Sequence, residues 1–475
     1  MMLGASFCCP RTGACTLRAL ALGAALLAAL PLASQTDGAP PVGVPMTLAQ
    51  LSDFALRNNA ATRAAWSAAM ADGAAADAAR AALAPTVALL VPASASHGAP
   101  NPNAPEPPGA SPAGTTGAIT PTLSLAWVLF DFGARAAGVD AARWQALATR
   151  LLYDRTLQSV VNQVEQAYFG LLGARQLESA LRTGVASAQA SLDAAQTRRR
   201  GGLATLGDTA QAQAALAAAR LQWLRAQSQA RSAEGALAVA IGAPVTTPIA
   251  LVDDAAAPPD AGAVSAPDPG TLQPVEALIA HARLSRADLS ALDAQWQQAR
   301  SQLRAVEAAA RPSIALAAQA TRSWVSDGSG RPSQQIGLTL QVPLFDGGLL
   351  KAQAAQARWR VDTLAAQRAQ QVSAAELEVW QSYQDAQRSD DVVASAQAAL
   401  ASAAVAEDAA RERYAAGVGT LLELLSTQAA SAQGRLDLVQ ARYDGRLALS
   451  RLAYAVGVGA ASGEVLGRGL PGARP

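Results

Sequence analysis

Thiols are confined to the very start of this 475-residue chain: Cys8, Cys9 and Cys15 are its only cysteines. Everything after them is therefore without disulfides, thiolate nucleophiles or sulfur-held metals. Histidine is almost as scarce, with only His97 and His281, too few for a ligand cluster. Charged residues make up 15% of the chain and leave a formal net charge of +1, so no basic surface points to nucleic acid. Aromatics amount to 4% although 51% of the chain is hydrophobic, and alanine makes up the difference. Alanine favours helix and lets backbones approach closely, but each one buries little area. Long packed helices suit such a chain better than a compact core. Gly201-Gly202 lacks the strand–glycine-rich–helix setting of a phosphate loop. Asp253-Asp254 and Asp390-Asp391 read as solvated surface. No catalytic constellation stands out, so the sequence predicts no enzyme, no cofactor and no metal.

Long apolar runs are also missing. The best is residues 19–30 (ALALGAALLAAL), preceded by Arg11 and Arg18 and followed by Pro31, Ala33 and Ser34. A basic start, a short apolar run and small residues read as a secretory signal peptide over residues 1–34. The other reading, a membrane anchor, is opposed by length, because about 12 residues fall short of the ~20 that a spanning helix needs. Cutting near residue 34 leaves a mature chain with no cysteine. None of the three stands at the end of the apolar run, where a lipoprotein cysteine would be expected.

What the chain has in quantity is itself. Shifted by 215 residues, two halves align without a gap. Phe130-Asp131 falls on Phe345-Asp346, Gly133 on Gly348, and Ala142-Arg143-Trp144 on Ala357-Arg358-Trp359. Tyr168 meets Tyr383, Arg198 meets Arg413, Gly202 meets Gly417, Thr205 meets Thr420, and Asp208 meets Glu423. Upstream of Phe130 the shift becomes 227, with Ala84-Pro85 over Arg311-Pro312 and Val87-Ala88-Leu89 over Ile314-Ala315-Leu316. The twelve-residue difference is an insertion in the first half, which contains the Pro-, Gly- and Asn-rich stretch 97–114 and reads as a surface loop. The organisation expected is a first repeat over 46–242, a linker over 243–274, a second repeat over 275–457 and a tail over 458–475. Each repeat runs helix, two strands, then a hairpin of two long helices, at 134–242 and 349–457. The strands are expected at 86–96, 119–130, 313–324 and 335–345.

The hairpins show apolar steps of three and four, as at Val160, Val161, Val164, Tyr168, Leu171 and Leu172, with no proline from residue 136 to residue 199. That is a helix of about 95 Å, a length that calls for a coiled-coil-like or tubular assembly. The strands alternate with period two: Ile336, Leu338, Leu340, Val342 and Leu344 in one repeat, Leu123, Leu125, Trp127 and Leu129 in the other. Such segments match transmembrane β-strands, with apolar residues toward lipid. A half-exposed soluble sheet would alternate in the same way, and the signal peptide tilts the reading toward the membrane. Four strands cannot close a barrel, and open edges are not tolerated in lipid, so a membrane reading requires oligomers.

The helix-tip turns are 198–208 (RRRGGLATLGD) and 413–423 (RYAAGVGTLLE). Gly201, Gly202, Gly417 and Gly419 end the first helix of each hairpin in positions suited to positive φ. Thr205 with Asp208, and Thr420 with Glu423, have capping-box spacing. The same carboxylates could instead line a constriction as an acidic ring favouring cations. The two readings are compatible.

The two repeats, the strand endings LFDFG (129–133) and LFDGG (344–348), and the tip motif YAAGVGTLLELL (414–425) together resemble the TolC family of outer-membrane efflux proteins. The likeness runs over nearly the whole mature chain. It implies an internally duplicated α+β membrane protein, a homotrimer sharing one transmembrane β-barrel of twelve strands, four per chain. Outer-membrane lipid would surround the barrel, and a long α-helical barrel would extend into the periplasm. Linker and tail would form an equatorial region. The implied partners are a periplasmic adaptor (a membrane fusion protein) and an inner-membrane pump or exporter. The resemblance puts the periplasmic gate at Tyr414, Glu423 and Asp208. It fails at Gly419 and Ser426, where the family pattern has an Arg and a second Asp. Within the family the chain is similar to outer-membrane components of type I secretion, which take a protein toxin of the adenylate cyclase–haemolysin kind from an ABC exporter. The alternative is the outer-membrane factor of a tripartite drug or metal efflux pump. A periplasmic adaptor or other coiled-coil protein would share the hairpins but not the doubled strand–helix unit.

Overall fold

The computed structural model describes residues 45–97, 115–251, 272–326 and 330–458, all within one unit, Pro40–Pro475. The segment read as a signal peptide, residues 1–34, lies outside the described residues. So do 98–114 of the insertion, 252–271 of the linker and 459–475 of the tail.

The first half runs α1 (Leu48–Asn58), α2 (Ala60–Ala81), β1 (Thr86–Leu90), β2 (Ala93–His97), β3 (Thr115–Ile119), β4 (Thr122–Phe130), α3 (Ala134–Arg200) and α4 (Leu206–Ala240). The second runs α5 (Val275–Ser285), α6 (Ala287–Ala309), β5 (Ser313–Arg322), β6 (Trp324–Val325), β7 (Pro332–Gln341), α7 (Leu349–Ala415) and α8 (Leu421–Val456). Leu48 and Val275, Ala60 and Ala287, and Thr86 and Ser313 open equivalent elements 227 residues apart; Ala134 and Leu349, and Leu206 and Leu421, do so 215 apart.

α3 and α7 are 67 residues each, about 100 Å at 1.5 Å per residue. Each starts behind a glycine with left-handed backbone, Gly133 (φ 86°) and Gly348 (φ 89°). The aspartate two positions earlier does the capping. Asp131 accepts from the Gly133 and Arg135 amides at 3.2 and 3.0 Å, and Asp346 from Gly348 and Leu350 at 2.9 and 2.7 Å. This is the physical content of the repeated Phe-Asp-x-Gly: an acceptor for orphan helix amides, then a residue free to take positive φ.

Ahead of the strands, where one helix per repeat was expected, there are two. Asn59 and Arg286 sit at equivalent breaks with extended backbone, φ −66° ψ 130° and φ −70° ψ 119°. The Asn59 side chain accepts from the Ala61 amide at 2.8 Å and donates to Ala240 O at 2.9 Å, so it caps α2 and ties off α4 together. Arg286 holds the matching place at the end of α8. The last carbonyls of α8 and its flank are each taken by a side chain: Tyr454 O by Arg155 Nη1 (3.2 Å), Ala455 O by Arg286 Nη1 (3.0 Å), Val456 O by Ser285 Oγ (2.8 Å) and Gly457 O by Gln158 Nε2 (3.3 Å).

Two buried cores repeat as the sequence does. Leu51, Ala55, Val164, Leu171, Leu237 and Ile241 form one, and their equivalents Leu278, Ala282, Val379, Ala386, Leu452 and Val456 form the other. A fully buried leucine in either stabilises by roughly 2 kcal/mol. Among the described residues no helix is long and apolar enough to cross a membrane.

The strands form a four-stranded antiparallel sheet, β1-β4-β5-β7, and a three-stranded one, β2-β3-β6. Thr86↔Ala126 and Ala93↔Ile119 lie on one continuous register, as do Thr122↔Thr321 and Ala118↔Val325. The two sheets are thus one set of strands interrupted where proline removes a ladder donor, at Pro92 and Pro121. β7 begins at Pro332 and stops at Gln341, earlier at both ends than expected, and Pro343 follows the stop. Opposed pairs put Val87, Leu89, Leu123, Leu125, Trp127, Ile314, Leu316, Ile336, Leu338 and Leu340 on one face. Thr86, Thr122, Ser124, Gln319, Thr321, Gln335, Thr339 and Gln341 share the other. Neither face carries a covering layer: every residue of β1 and β7 is exposed.

Candidate functional site

The two tip turns close the hairpins by the same route, built with different atoms. In the first, Leu203 N donates to Arg198 O at 2.8 Å and Gly202 takes φ 75°. In the second, Val418 N donates to Arg413 O at 3.0 Å and Gly417 takes φ 82°. The four turn glycines therefore differ in role. Gly202 and Gly417 supply left-handed backbone, whereas Gly201 sits at φ −81° and caps without it. Gly419 supplies space: a Cβ there would stand 3.0 Å from Tyr414 N and 3.1 Å from the Arg413 carbonyl carbon.

Thr205 and Asp208 form a complete capping box. The hydroxyl accepts from the Asp208 amide at 3.1 Å, and the carboxylate accepts from the Thr205 amide at 2.8 Å and its hydroxyl at 2.9 Å. The Thr205 amide, then its hydroxyl, hold the Asp208 carboxyl below the usual carboxylate range. The second box is only half made. Thr420 Oγ1 accepts from the Glu423 amide at 3.2 Å, but the Glu423 carboxylate turns to Arg413 Nη1 at 2.6 Å instead of returning to the cap. Ser426 donates to Glu423 O at 2.8 Å, within its own helix.

Tyr414 is buried at the hub of both tips. It packs with Ala195, Leu192, Leu216, Leu421 and Leu424, drawn from α3, α4 and α8. Among the described residues its phenol oxygen finds no hydrogen-bond partner. The link between the hairpins runs through a residue that the motif reading passed over. Arg198, in the last turn of α3, donates to Tyr414 O and to Ala415 O (3.0 Å), and its guanidinium lies 4.2 Å from the Tyr414 ring centre. It thus caps the C-terminus of α7 from the neighbouring hairpin. Ser191 Oγ adds a bond to Gln428 Oε1 at 3.1 Å across the same boundary. Asp208 and Glu423 are not brought together: each serves its own turn. The sequence signal for Arg198 was its match to Arg413 across the repeat. The two equivalents diverge in what they grip, Glu423 for one and foreign carbonyls for the other.

Among the described residues no three His, Cys, Asp or Glu side chains gather to hold a metal. The arrangement is mechanical: two hairpin tips pinned by one guanidinium over a buried aromatic ring.

Residues 51–243 and 278–458, one block in each repeat, match the family model described as Outer membrane efflux protein. Protein CyaE of Bordetella pertussis is 31% identical over 343 residues, 67% of this chain and 66% of that protein. The pyoverdine export outer membrane protein OpmQ of Pseudomonas aeruginosa is 27% identical over 340 residues, 71% of this chain and 68% of that one. The crystal structure of the outer membrane protein VceC from Vibrio cholerae matches with a TM-score of 0.72 at 22% identity, over 87% of this chain and 96% of that chain. With both halves of the duplicated chain matched, the protein belongs to the outer membrane efflux protein family of TolC-like channels.

Proposed function

We propose that this chain is the outer-membrane channel of a type I secretion system, a homotrimeric duct. It takes a protein toxin of the adenylate cyclase–haemolysin class from an inner-membrane ABC exporter and its periplasmic adaptor. The duct itself is carried by one observation: a four-stranded sheet with one apolar face, one polar face and both edges open, standing on helices of about 100 Å. Four strands per chain close a barrel only when copies share it, and three copies supply twelve. The apolar face has the height of an outer-membrane band. From Ile314, opposite Phe130, to Trp324 is about ten residues, ~33 Å along the strand and ~25 Å across a tilted barrel. Trp127 and Phe130 would then stand at one interface and Trp324 at the other, with the helical hairpins reaching into the periplasm and the tip turns forming the constriction.

The cargo class rests on the similarity to CyaE. The similarity to OpmQ favours the second reading, the outer-membrane factor of a tripartite drug or metal efflux pump. Deleting the gene separates them. The secretion reading expects one large protein to vanish from the culture supernatant and to return on complementation. An unchanged secreted-protein profile, with loss of small-molecule export, overturns it in favour of the pump.

A further inference from the structure

We propose that Arg322, seated against Trp324 at the outer end of the apolar sheet face, binds a phosphate of the glycolipid that forms the outer leaflet. This rests on the membrane reading of the strands and names the lipid that the barrel holds at its rim.

The sequence sets Arg322 apart. β1 to β7 together hold no aspartate, glutamate or lysine, and Arg322 is their one arginine. Parity along β5 fixes its direction. Ile314, Leu316, Ala318 and Ala320 precede it at steps of two, and Trp324 follows at the next step. The ladder carries that parity past the break at Ser323, because Leu123↔Ala320 and Ile119↔Trp324 lie on one register. Arg322 therefore stands on the face of the leucines, not on that of Gln319 and Thr321.

Height decides whether a guanidinium belongs there, since it is costly at the bilayer midplane and nearly free at the interface. Arg322 stands eight residues along β5 from Ile314, about 26 Å on the strand and ~20 Å along the axis of a barrel tilted by ~40°. Against an apolar band of ~25 Å its backbone lies just inside the outer rim. The arginine stem is long enough to bring the charged head level with the phosphates.

The neighbours leave that head to an outside anion. Arg322 is exposed, and among the described residues its guanidinium has neither a hydrogen bond nor a carboxylate. It lies 5.1 Å from the centre of the Trp324 ring. The strands on either side present proline: Arg322 N donates to Pro121 O at 3.0 Å, and Arg322 pairs with Pro332. Proline side chains carry no acceptor. Ile119 and Trp324, 49% and 48% exposed, extend the apolar floor outward. A fork of donors on an apolar floor matches phosphate oxygens two at a time, and an indole suits the boundary where headgroup meets acyl chain.

Arg331 provides the control. Ser323 N donates to Arg331 O at 3.4 Å, and extending Arg322↔Pro332 by one residue sets Arg331 opposite Ser323. Arg331 thus has the same charge at the same height on the parity of the polar face.

The full chain, purified in detergent as its intact oligomer, is titrated with diphosphoryl lipid A and with the same lipid stripped of both phosphates. Native mass spectrometry counts the bound lipid. The diphosphoryl form is expected to bind roughly tenfold more tightly than the stripped one. Arg322→Gln should lose that preference, Arg322→Lys should keep part of it, and Arg331→Gln should keep all of it. Equal binding of the two lipids by the unsubstituted chain, or a phosphate preference that survives in Arg322→Gln, overturns the site. A preference lost equally in Arg331→Gln overturns it too, by showing a general charge effect of the rim. An unsubstituted chain that stays monomeric and water-soluble without detergent overturns the membrane reading instead.

Discussion

Arg286→Met tests how much of this fold hangs on one buried cation. Arg286 is 2% exposed and donates to Asp288 (3.1 and 2.7 Å), to Glu378 (2.6 Å) and to Ala455 O (3.0 Å). It therefore joins the α5–α6 break to α7 and to the end of α8. Methionine keeps much of the stem volume and removes every one of those bonds. Deleting one partner of a buried ionic cluster costs about 3–5 kcal/mol. The lower end applies here, because the Glu378 side chain is 40% exposed and Arg155 stays 3.9 Å from Asp288. At ~2.1 cal/mol/K per residue over about 370 described residues the unfolding entropy is ~0.8 kcal/mol/K, so ~3 kcal/mol lowers Tm by ~4 °C. Arg57→Met, which breaks an exposed pair worth at most ~1 kcal/mol, should lower it by about 1 °C or less. Differential scanning fluorimetry in detergent reads both. Burial raises the Asp288 carboxyl, but the bonds and charge of Arg286 outweigh it and hold the group below its ordinary value. Its contribution is present above the unfolded carboxylate value of about 3.9 and is lost as pH falls through the lower folded one. The gap between wild type and variant should therefore narrow below about pH 4. An Arg286→Met protein that melts within 1 °C of wild type at pH 7 would refute the reasoning.

Four further substitutions probe other links. Glu165 is buried, and burial raises its carboxyl against a partly offsetting bond from Ser450, so its ionised form opposes folding at neutral pH. Glu165→Gln should raise Tm at pH 8, with the gain fading as pH falls through the raised folded value; no gain at pH 8 sinks the idea. Gly242 has φ 79° and a Cβ there would lie 2.9 Å from Asn58 O, whereas Gly133 at φ 86° has nothing within 4 Å. Gly242→Ala should therefore cost more than the ~1–2 kcal/mol of left-handed strain expected for Gly133→Ala, and equal Tm losses would contradict it. Arg198→Ala removes the cap on Tyr414 and Ala415 and should speed hydrogen exchange at both tips while leaving the strand amides protected; unchanged tip exchange would show that Arg198 is not the link.

The duplication was legible because rare residues recur in it: Trp144 with Trp359 and Tyr168 with Tyr383 mark a register that alanine never could. Helix length was legible from the absence of proline. The breaks at Asn59 and Arg286 were not, since both lie inside helical periodicity and depend on what receives them, Ala240 O and the end of α8. The strand interruptions had a signal in Pro92 and Pro121 that the period-two pattern overrode. At the tips the spacing Thr-x-x-acid was visible twice, but only geometry separates Asp208, which reaches its cap, from Glu423, which turns to the Arg413 guanidinium. Arg198 was marked in its run of three arginines by its match to Arg413, but what it grips became visible only with α7 placed beside it.

The end of α8 has a mechanical consequence. Its final carbonyls are gripped by four side chains from α3 and the α5–α6 break, so sliding or rolling that end drops four bonds together rather than one at a time. A helix fastened so at one end behaves as a rod on a pivot. Over 36 residues, about 54 Å, a lean of only ~10° would carry the tip end near Thr420, and the buried hub it packs into, through ~9 Å. Small angular changes at the anchored end are thus magnified into displacements wider than a helix radius at the far one.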